Sequence, residues 1–137
     1  MRTIDKTITV KIDDHPVDFR LRKPDAFSGV EILRLLMRLQ DQKQDENPTV
    51  YDLVLSFTEE EMRSVMKSCL NHTYVMLPAG PNPVMTGDEW AYPEISHDMS
   101  VCMKLMLEEI TWTLEGFFVA GGLKSQPASP DTSPSNA

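Results

Sequence analysis

Alternation of apolar and polar residues marks the beginning of the chain. Residues 7–12 and 17–22 each alternate with a period of two, and a short polar run, Asp13-Asp14-His15-Pro16, separates them. A period of two is the spacing of a strand that buries one face. The sequence therefore predicts a β-hairpin, and the rest of the chain must cover its apolar face because an isolated hairpin is only marginally stable in water.

Helical spacing follows the hairpin. The first predicted helix begins at Asp25 or Ser28 and carries more apolar residues than one narrow stripe requires, so we expect it to be covered on more than one side. Thr49 is a predicted N-cap for a short second helix. Thr58 and Glu61 have the spacing of a capping box, which predicts the start of a third, longer helix.

The last predicted helix is the longest. It begins at Ser96 or Asp98, carries a continuous apolar stripe at helical spacing, and reaches a natural stop at the glycine pair 121–122. Residues 125–137 contain no large apolar side chain, and serine and proline are frequent there. We therefore expect a disordered tail over this part of the chain.

Proline and glycine interrupt the segment between Leu77 and Pro93 too often for a regular element. The sequence predicts a loop there of roughly fifteen residues, packed down by its own large side chains. These are Met85, Trp90 and Tyr92, and Trp90 is the predicted anchor.

These patterns together predict an α+β fold, in which an N-terminal β-hairpin packs on a bundle of about four α-helices. The length of 137 residues indicates one hydrophobic core. We expect a single domain over residues 1–122 and a disordered Ser/Pro-rich tail over residues 123–137.

Charge narrows the range of partners. Thirteen basic and twenty-one acidic side chains give a net charge of −8, which repels nucleic acid and anionic lipid. No apolar run resembles a secretory signal or reaches the ~20 residues of a membrane span. We expect a cytoplasmic protein that binds neither nucleic acid nor membrane.

Candidate chemistry is sparse. Cys69 and His72 lie three residues apart, so they could supply two zinc ligands, with His97 or Cys102 as a third. Two buried thiols and a histidine at a helix end are the simpler interpretation, because free cysteine is among the most buried residue types.

No phosphate-binding loop, HExxH, CxxC or GxSxG motif is present in the sequence, and we expect no catalytic, cofactor or metal site. The acidic clusters 59–61 and 108–109 are interpreted as solvated helix faces and not as catalytic carboxylates, because both fall on the polar side of an apolar stripe.

Methionine and surplus apolar residues carry the binding hypothesis. Nine methionines are present, and such side chains fill irregular cores or line surfaces that bind apolar partners. Several large residues of the last helix lie away from its main stripe, so we expect part of this helix to contact another chain. The predicted partner-binding residues are Trp90, Met103, Leu105, Trp112, Phe117 and Phe118.

Several short segments follow the predicted hairpin in a characteristic order. They are residues 19–29, 57–62 and 69–70, then Trp90-Ala91-Tyr92, Ile95-Ser96, Met103-Lys104-Leu105-Met106 and Leu114-Glu115-Gly116-Phe117-Phe118. This order of segments, over roughly residues 7–118, resembles a known family, the tail assembly chaperones of long-tailed bacteriophages and prophages.

The resemblance implies a non-virion assembly factor in the cytoplasm of the bacterial host. Such a protein binds the tape measure protein, with the tail tube protein as a further partner, and keeps the tape measure protein soluble until the tube polymerises around it. Self-association is also expected. Two alternatives remain open: a structural virion component such as a tail completion or connector protein, and a small metal-dependent enzyme built on Cys69 and His72.

Overall fold

The computed structural model describes residues 4–42 and 48–115. Six strands, four α-helices and one short 3₁₀ helix occur in these ranges. The α+β class and the N-terminal hairpin with four helices, predicted from the sequence, are confirmed. The predicted tail over 123–137 lies outside the described residues.

The N-terminal hairpin consists of β1 (Asp5–Ile12) and β2 (His15–Arg22). Its register places Ile8 opposite Phe19. The connecting turn is formed by Asp13 and Asp14, whose φ angles are 53° and 66°. Two consecutive positive φ angles are typical of the tight two-residue turn that matches the twist of the strands.

The hairpin is half of a larger antiparallel sheet with the order β1-β2-β3-β4. Strand β3 (Thr73–Leu77) pairs with β2, and β4 (Gly80–Pro83) pairs with β3. The predicted loop without regular structure over 77–93 is therefore wrong. Gly80 adopts a φ of +126° that permits the reversal, and prolines are tolerated in β4 because it is an edge strand.

A small second hairpin completes this region, with β5 (Met85–Thr86) paired to β6 (Glu89–Trp90), followed by the 3₁₀ helix Pro93–Ile95. Met85 is buried, and the Tyr92 ring packs edge to face on Phe19 at 6.4 Å between ring centroids. Trp90 is 37% exposed. The prediction that Trp90 anchors this segment is therefore wrong, and Met85 and Tyr92 hold it instead.

The helices are α1 (Ala26–Gln42), α2 (Val50–Leu55), α3 (Glu59–Asn71) and α4 (Met99–Thr113). Asp25 accepts a hydrogen bond from the Ser28 amide at 2.9 Å, so α1 begins at the earlier of the two predicted positions. This hydrogen bond lowers the pKa of the Asp25 carboxyl. The predicted N-caps Thr49 and Thr58 are confirmed, and both form capping boxes.

Helix α4 is shorter than the sequence predicts. Asp98 caps its N-terminus by accepting a hydrogen bond from the Val101 amide at 3.1 Å. Its last residue is Thr113, with Leu114 as the C-cap, whereas the sequence placed the end at the glycine pair 121–122. That pair lies outside the described residues.

Two apolar clusters form the interior, and α4 contributes to both. The helical cluster joins all four helices and includes Leu36, Leu53, Met106 and Ile110. The sheet cluster packs β-strand residues such as Phe19 against Leu105 and others of α4. Helix α4 thus lies between the two clusters, and α3 also contributes to both through Cys69 and Leu70.

Candidate protein-binding groove

A surface depression of about 590 Å³ runs along the outer side of α4, and α2 and the start of α3 form its other sides. We call it the methionine groove. Its lining is Tyr51, Leu55, Met62, Met99, Ser100, Met103, Lys104, Leu107, Glu108 and Thr111.

Several apolar side chains of the methionine groove reach solvent. Met99 is 76% exposed, Leu55 56% and Tyr51 41%. Met103 and Leu107 are partly buried and pack against the helical cluster. A contiguous exposed apolar surface of this kind is typical of an interaction site, whereas single exposed apolar residues are ordinary.

The polar rim of the methionine groove lies on the side nearest the sheet. Glu108 is 3.8 Å from the Lys6 ammonium of β1 and 3.7 Å from that of Lys104 on α4. These pairs are partly exposed and contribute little to stability. They leave an apolar floor beside a charged edge, which is the usual arrangement of a protein-binding surface.

The dimensions of the methionine groove suit a helix. Met99 and Thr111 are twelve residues apart on α4, a rise of about 18 Å or roughly three turns. An amphipathic partner helix would place anchors at positions i, i+3 or i+4, and i+7 along this length. Thioether side chains can adapt to anchors of different shape, because methionine has flexible torsions and a polarizable sulfur.

Helix caps hold the walls of the methionine groove. Asp52 accepts a hydrogen bond from the Thr49 amide at 3.0 Å, and the Thr49 hydroxyl accepts one from the Asp52 amide at 3.1 Å. At the start of α3, Glu61 accepts a hydrogen bond from the Thr58 amide at 2.8 Å, which lowers the pKa of its carboxyl. Glu61 also accepts a hydrogen bond from Arg38 of α1 at 2.7 Å. These hydrogen bonds set where the helices that carry positions 51, 55 and 62 begin, and Arg38 ties α3 to α1.

The predicted partner-binding residues lie in different parts of the molecule. Met103 lines the methionine groove. Leu105 is fully buried in the sheet cluster, so its assignment to a partner surface is wrong. The physical reason is that α4 is covered on two sides, by helices and by the sheet, and the surplus apolar residues on the sheet side are used within the domain.

Trp112 is also engaged within the domain. It packs against the sheet cluster, and the ammonium groups of Lys6 and Lys23 lie 5.8 and 5.0 Å from the centre of its ring. Such contacts between a cation and an aromatic face contribute about 0.5–1 kcal/mol at exposed positions. Trp90 is exposed but does not line the methionine groove. Phe117 and Phe118 lie outside the described residues.

The environment of Glu109 also differs from the one predicted from the sequence. The sequence placed it on a solvated face, yet its side chain is fully buried and neither carboxyl oxygen has a hydrogen-bond partner among the described residues. Burial raises the pKa of this carboxyl to about 8. Glu109 lies one turn beyond Leu105 and Met106, which belong to different clusters, so it occupies the junction between them.

The thiols and the neighbouring histidine do not assemble a site in the described ranges. Cys69 and Cys102 are buried, and burial raises the pKa of both thiols, that of Cys102 to about 11. His72 caps α3, and its ring nitrogen Nδ1 lies 2.7 Å from the Ser68 carbonyl oxygen. Within residues 4–42 and 48–115, no group of three His, Cys, Asp or Glu side chains is arranged to hold a metal ion.

Sequence reasoning missed the α2 wall of the methionine groove. Tyr51 and Leu55 lie four residues apart, on the side of α2 opposite the buried residues Val50, Leu53 and Val54. Two large apolar residues at this spacing, off the core stripe of a capped helix, were a usable signal for a second apolar face.

No family model, curated protein or solved structure matches the chain. Among the described residues, no helix is both long and apolar enough to cross a membrane.

Proposed function

We propose that the protein is a tail assembly chaperone of a long-tailed bacteriophage or prophage, and that the methionine groove binds a helical segment of the tape measure protein. The observation that carries this proposal is an exposed apolar groove about three helical turns long, with Met99 76% exposed at its edge. The resemblance of residues 7–118 to that family supplies the identity of the client.

The physical argument for chaperone action is the protection of apolar surface. A long helical client exposes apolar stripes until its own partners arrive, and such stripes drive aggregation. A groove of exposed methionine, leucine and tyrosine side chains can cover one stripe without requiring one exact side-chain shape. No catalytic group is needed for this function, and it would take place in the cytoplasm of the host.

Co-expression with the tape measure protein of the same phage or prophage tests the proposal. We expect the client to stay soluble and to co-purify with the wild-type chain. A client that is equally insoluble with and without this chain would contradict the proposal. Recovery of the protein from purified particles would instead favour a virion component, such as a tail completion or connector protein.

A matched pair of methionine variants tests the assignment to the methionine groove. Met99→Asp places a charge on its edge, whereas Met76→Asp changes a methionine that is 36% exposed on β3. We expect Met99→Asp to lose the client and Met76→Asp to retain it, with both variants folded. Equal loss in both, or in neither, would remove the groove from the proposal.

A further inference from the structure

A second exposed apolar surface lies on α1, apart from the residues that line the methionine groove. Phe27 is 83% exposed, Val30 51% and Met37 40%, and Arg34 is exposed between them. The spacings of three, four and three residues place these four side chains along one face of the helix. We call this face the α1 stripe.

The α1 stripe has a projection at one end and a hollow at the other. Phe27 projects near the start of α1, and a depression of about 520 Å³ lies further along, lined by Glu31, Arg34, Leu35, Met37 and Arg38. Phe27 and Met37 are ten residues apart, a rise of about 15 Å. A surface with a projection and a hollow on the same helix can be complementary to itself.

We infer that the α1 stripe binds a second copy of this chain, with the two α1 helices antiparallel about a two-fold axis. The axis crosses the stripe midway between Val30 and Arg34, at the level of residue 32, whose own side chain is buried on the opposite side of the helix. Positions 27 and 37 are equidistant from residue 32, and so are positions 30 and 34. The axis therefore places Phe27 of each copy in the hollow beside Met37 of the other. This inference does not depend on the proposed chaperone function.

Charge selects the antiparallel orientation. In this pairing Glu31 of one copy lies next to Arg34 of the other, and the two-fold axis generates this pair twice. A parallel pairing would instead place Glu31 beside Glu31 and Arg34 beside Arg34, which is unfavourable. In the described ranges no ion pair within the chain engages Glu31 or Arg34, whereas Arg38 already pairs with Glu61 at 2.7 Å.

The contact is small. One face of a 17-residue helix provides less area than the roughly 800 Å² per partner of a standard interface. We therefore expect a concentration-dependent dimer with a Kd in the micromolar range, and not a permanent assembly. An exposed aromatic residue that enters a hollow is the usual energetic centre of such a contact.

Sedimentation velocity over a concentration series, on the full chain, tests the inference. We expect a monomer–dimer equilibrium in the wild type and a Kd at least about tenfold higher in Phe27→Ser, because a central aromatic anchor is lost. Met99→Ser, on the methionine groove, is the matched control and should leave the Kd unchanged. Far-UV circular dichroism should show that both variants keep the wild-type fold, since both side chains are exposed.

A charge exchange tests the orientation without relying on Phe27. Arg34→Glu should weaken the dimer because it brings acidic side chains together, and Glu31→Arg combined with Arg34→Glu should restore it.

Cysteine variants give a second test of the orientation. A mixture of Phe27→Cys and Met37→Cys chains should cross-link on oxidation, whereas Phe27→Cys alone should not. The native thiols are buried.

Three results would overturn the inference. The first is a wild-type chain that stays monomeric throughout the series. The second is a charge-exchanged double variant that dimerises as weakly as Arg34→Glu. The third is a dimer that Met99→Ser dissociates and Phe27→Ser does not.

Discussion

The two sides of α4 differ in what covers them. On one side Leu105 is fully buried, and Trp112 packs against the same sheet cluster. On the other side Met99 is 76% exposed, and Met103 is only partly buried in the floor of the methionine groove. Both of these sides are apolar in sequence, yet of the two only the sheet side is covered by another layer of the domain. A third side of α4, with Met106 and Ile110, is covered by the other helices.

This difference shows that apolar surplus on a helix does not by itself identify a binding surface. Leu105 and Met103 are two residues apart and are both large apolar side chains. The sheet occupies the position that a partner would otherwise take beside Leu105. An equivalent layer is missing from the described part of the chain beside Met99, and that side is therefore the candidate for a partner.

The largest expected loss of stability is that of Leu105→Ala, on the sheet side of α4. Leu105→Ala removes a fully buried side chain from the sheet cluster, so we expect the free energy of unfolding to fall by about 2–5 kcal/mol. Urea denaturation followed by circular dichroism measures this. A loss below about 1 kcal/mol would show that the sheet does not cover this side of α4 as described.

The buried carboxyl of Glu109, between the two clusters, should make the free energy of unfolding depend on pH. Its pKa is about 8 in the folded protein, compared with 4.5 for an ordinary glutamate. Between these values the unfolded chain has released the proton and the folded chain retains it, so this group lowers stability as the pH rises through the window. Each pKa unit corresponds to about 1.4 kcal/mol.

The variant Glu109→Gln removes this titration. We expect wild type and Glu109→Gln to be similarly stable below pH 4.5, with the variant gaining an advantage of at least about 2 kcal/mol by pH 8. Urea denaturation at several pH values checks the difference. A difference that is constant across the range would mean that the carboxyl is hydrated in the folded protein.

The N-cap of α2 tests whether this wall of the methionine groove can unfold locally while the sheet stays folded. Thr49→Ala removes the hydroxyl that accepts a hydrogen bond from the Asp52 amide, and we expect a loss of about 1 kcal/mol. Hydrogen exchange should rise in α2 and remain unchanged in β1 and β2. Equal exchange changes in the sheet would mean that α2 and the sheet unfold together.

The smallest expected effect on stability is that of Met99→Ser. Its side chain is mostly exposed, so the free energy of unfolding should change by less than about 0.5 kcal/mol. Thermal denaturation, measured beside Leu105→Ala, gives the direct contrast between the two sides of α4. A large loss in Met99→Ser would show that another part of the chain covers this side.

Local signals in the sequence were sufficient for the hairpin and the caps. Of the polar run 13–16 that the sequence placed between the strands, Asp13 and Asp14 form the turn, whereas His15 and Pro16 begin β2. Thr49, Thr58 and one of the two alternatives for each of α1 and α4 cap the helices as expected. These features depend on side chains within three or four residues of each other. They can therefore be recognised without knowledge of the tertiary fold.

Features that depend on distant neighbours were not predictable in the same way. Pro81 and Pro83 indicated a loop, and only the position of β4 at the edge of the sheet makes them compatible with a strand. Glu109 follows Glu108 in the sequence and was therefore interpreted as a surface residue. Its burial results from the meeting of the two clusters, which the sequence does not show. Part of the methionine groove was predicted through Met103, but its α2 wall required the tertiary arrangement.

The position of α4 in the chain has a consequence for folding. Because α4 is the last helix in the described ranges and contributes residues to both clusters, any fragment that stops before Met99 lacks part of each. Such a fragment would leave the inner faces of the sheet and of the other helices open to solvent and prone to aggregation. Folding therefore depends on contacts between the beginning and the end of the described chain.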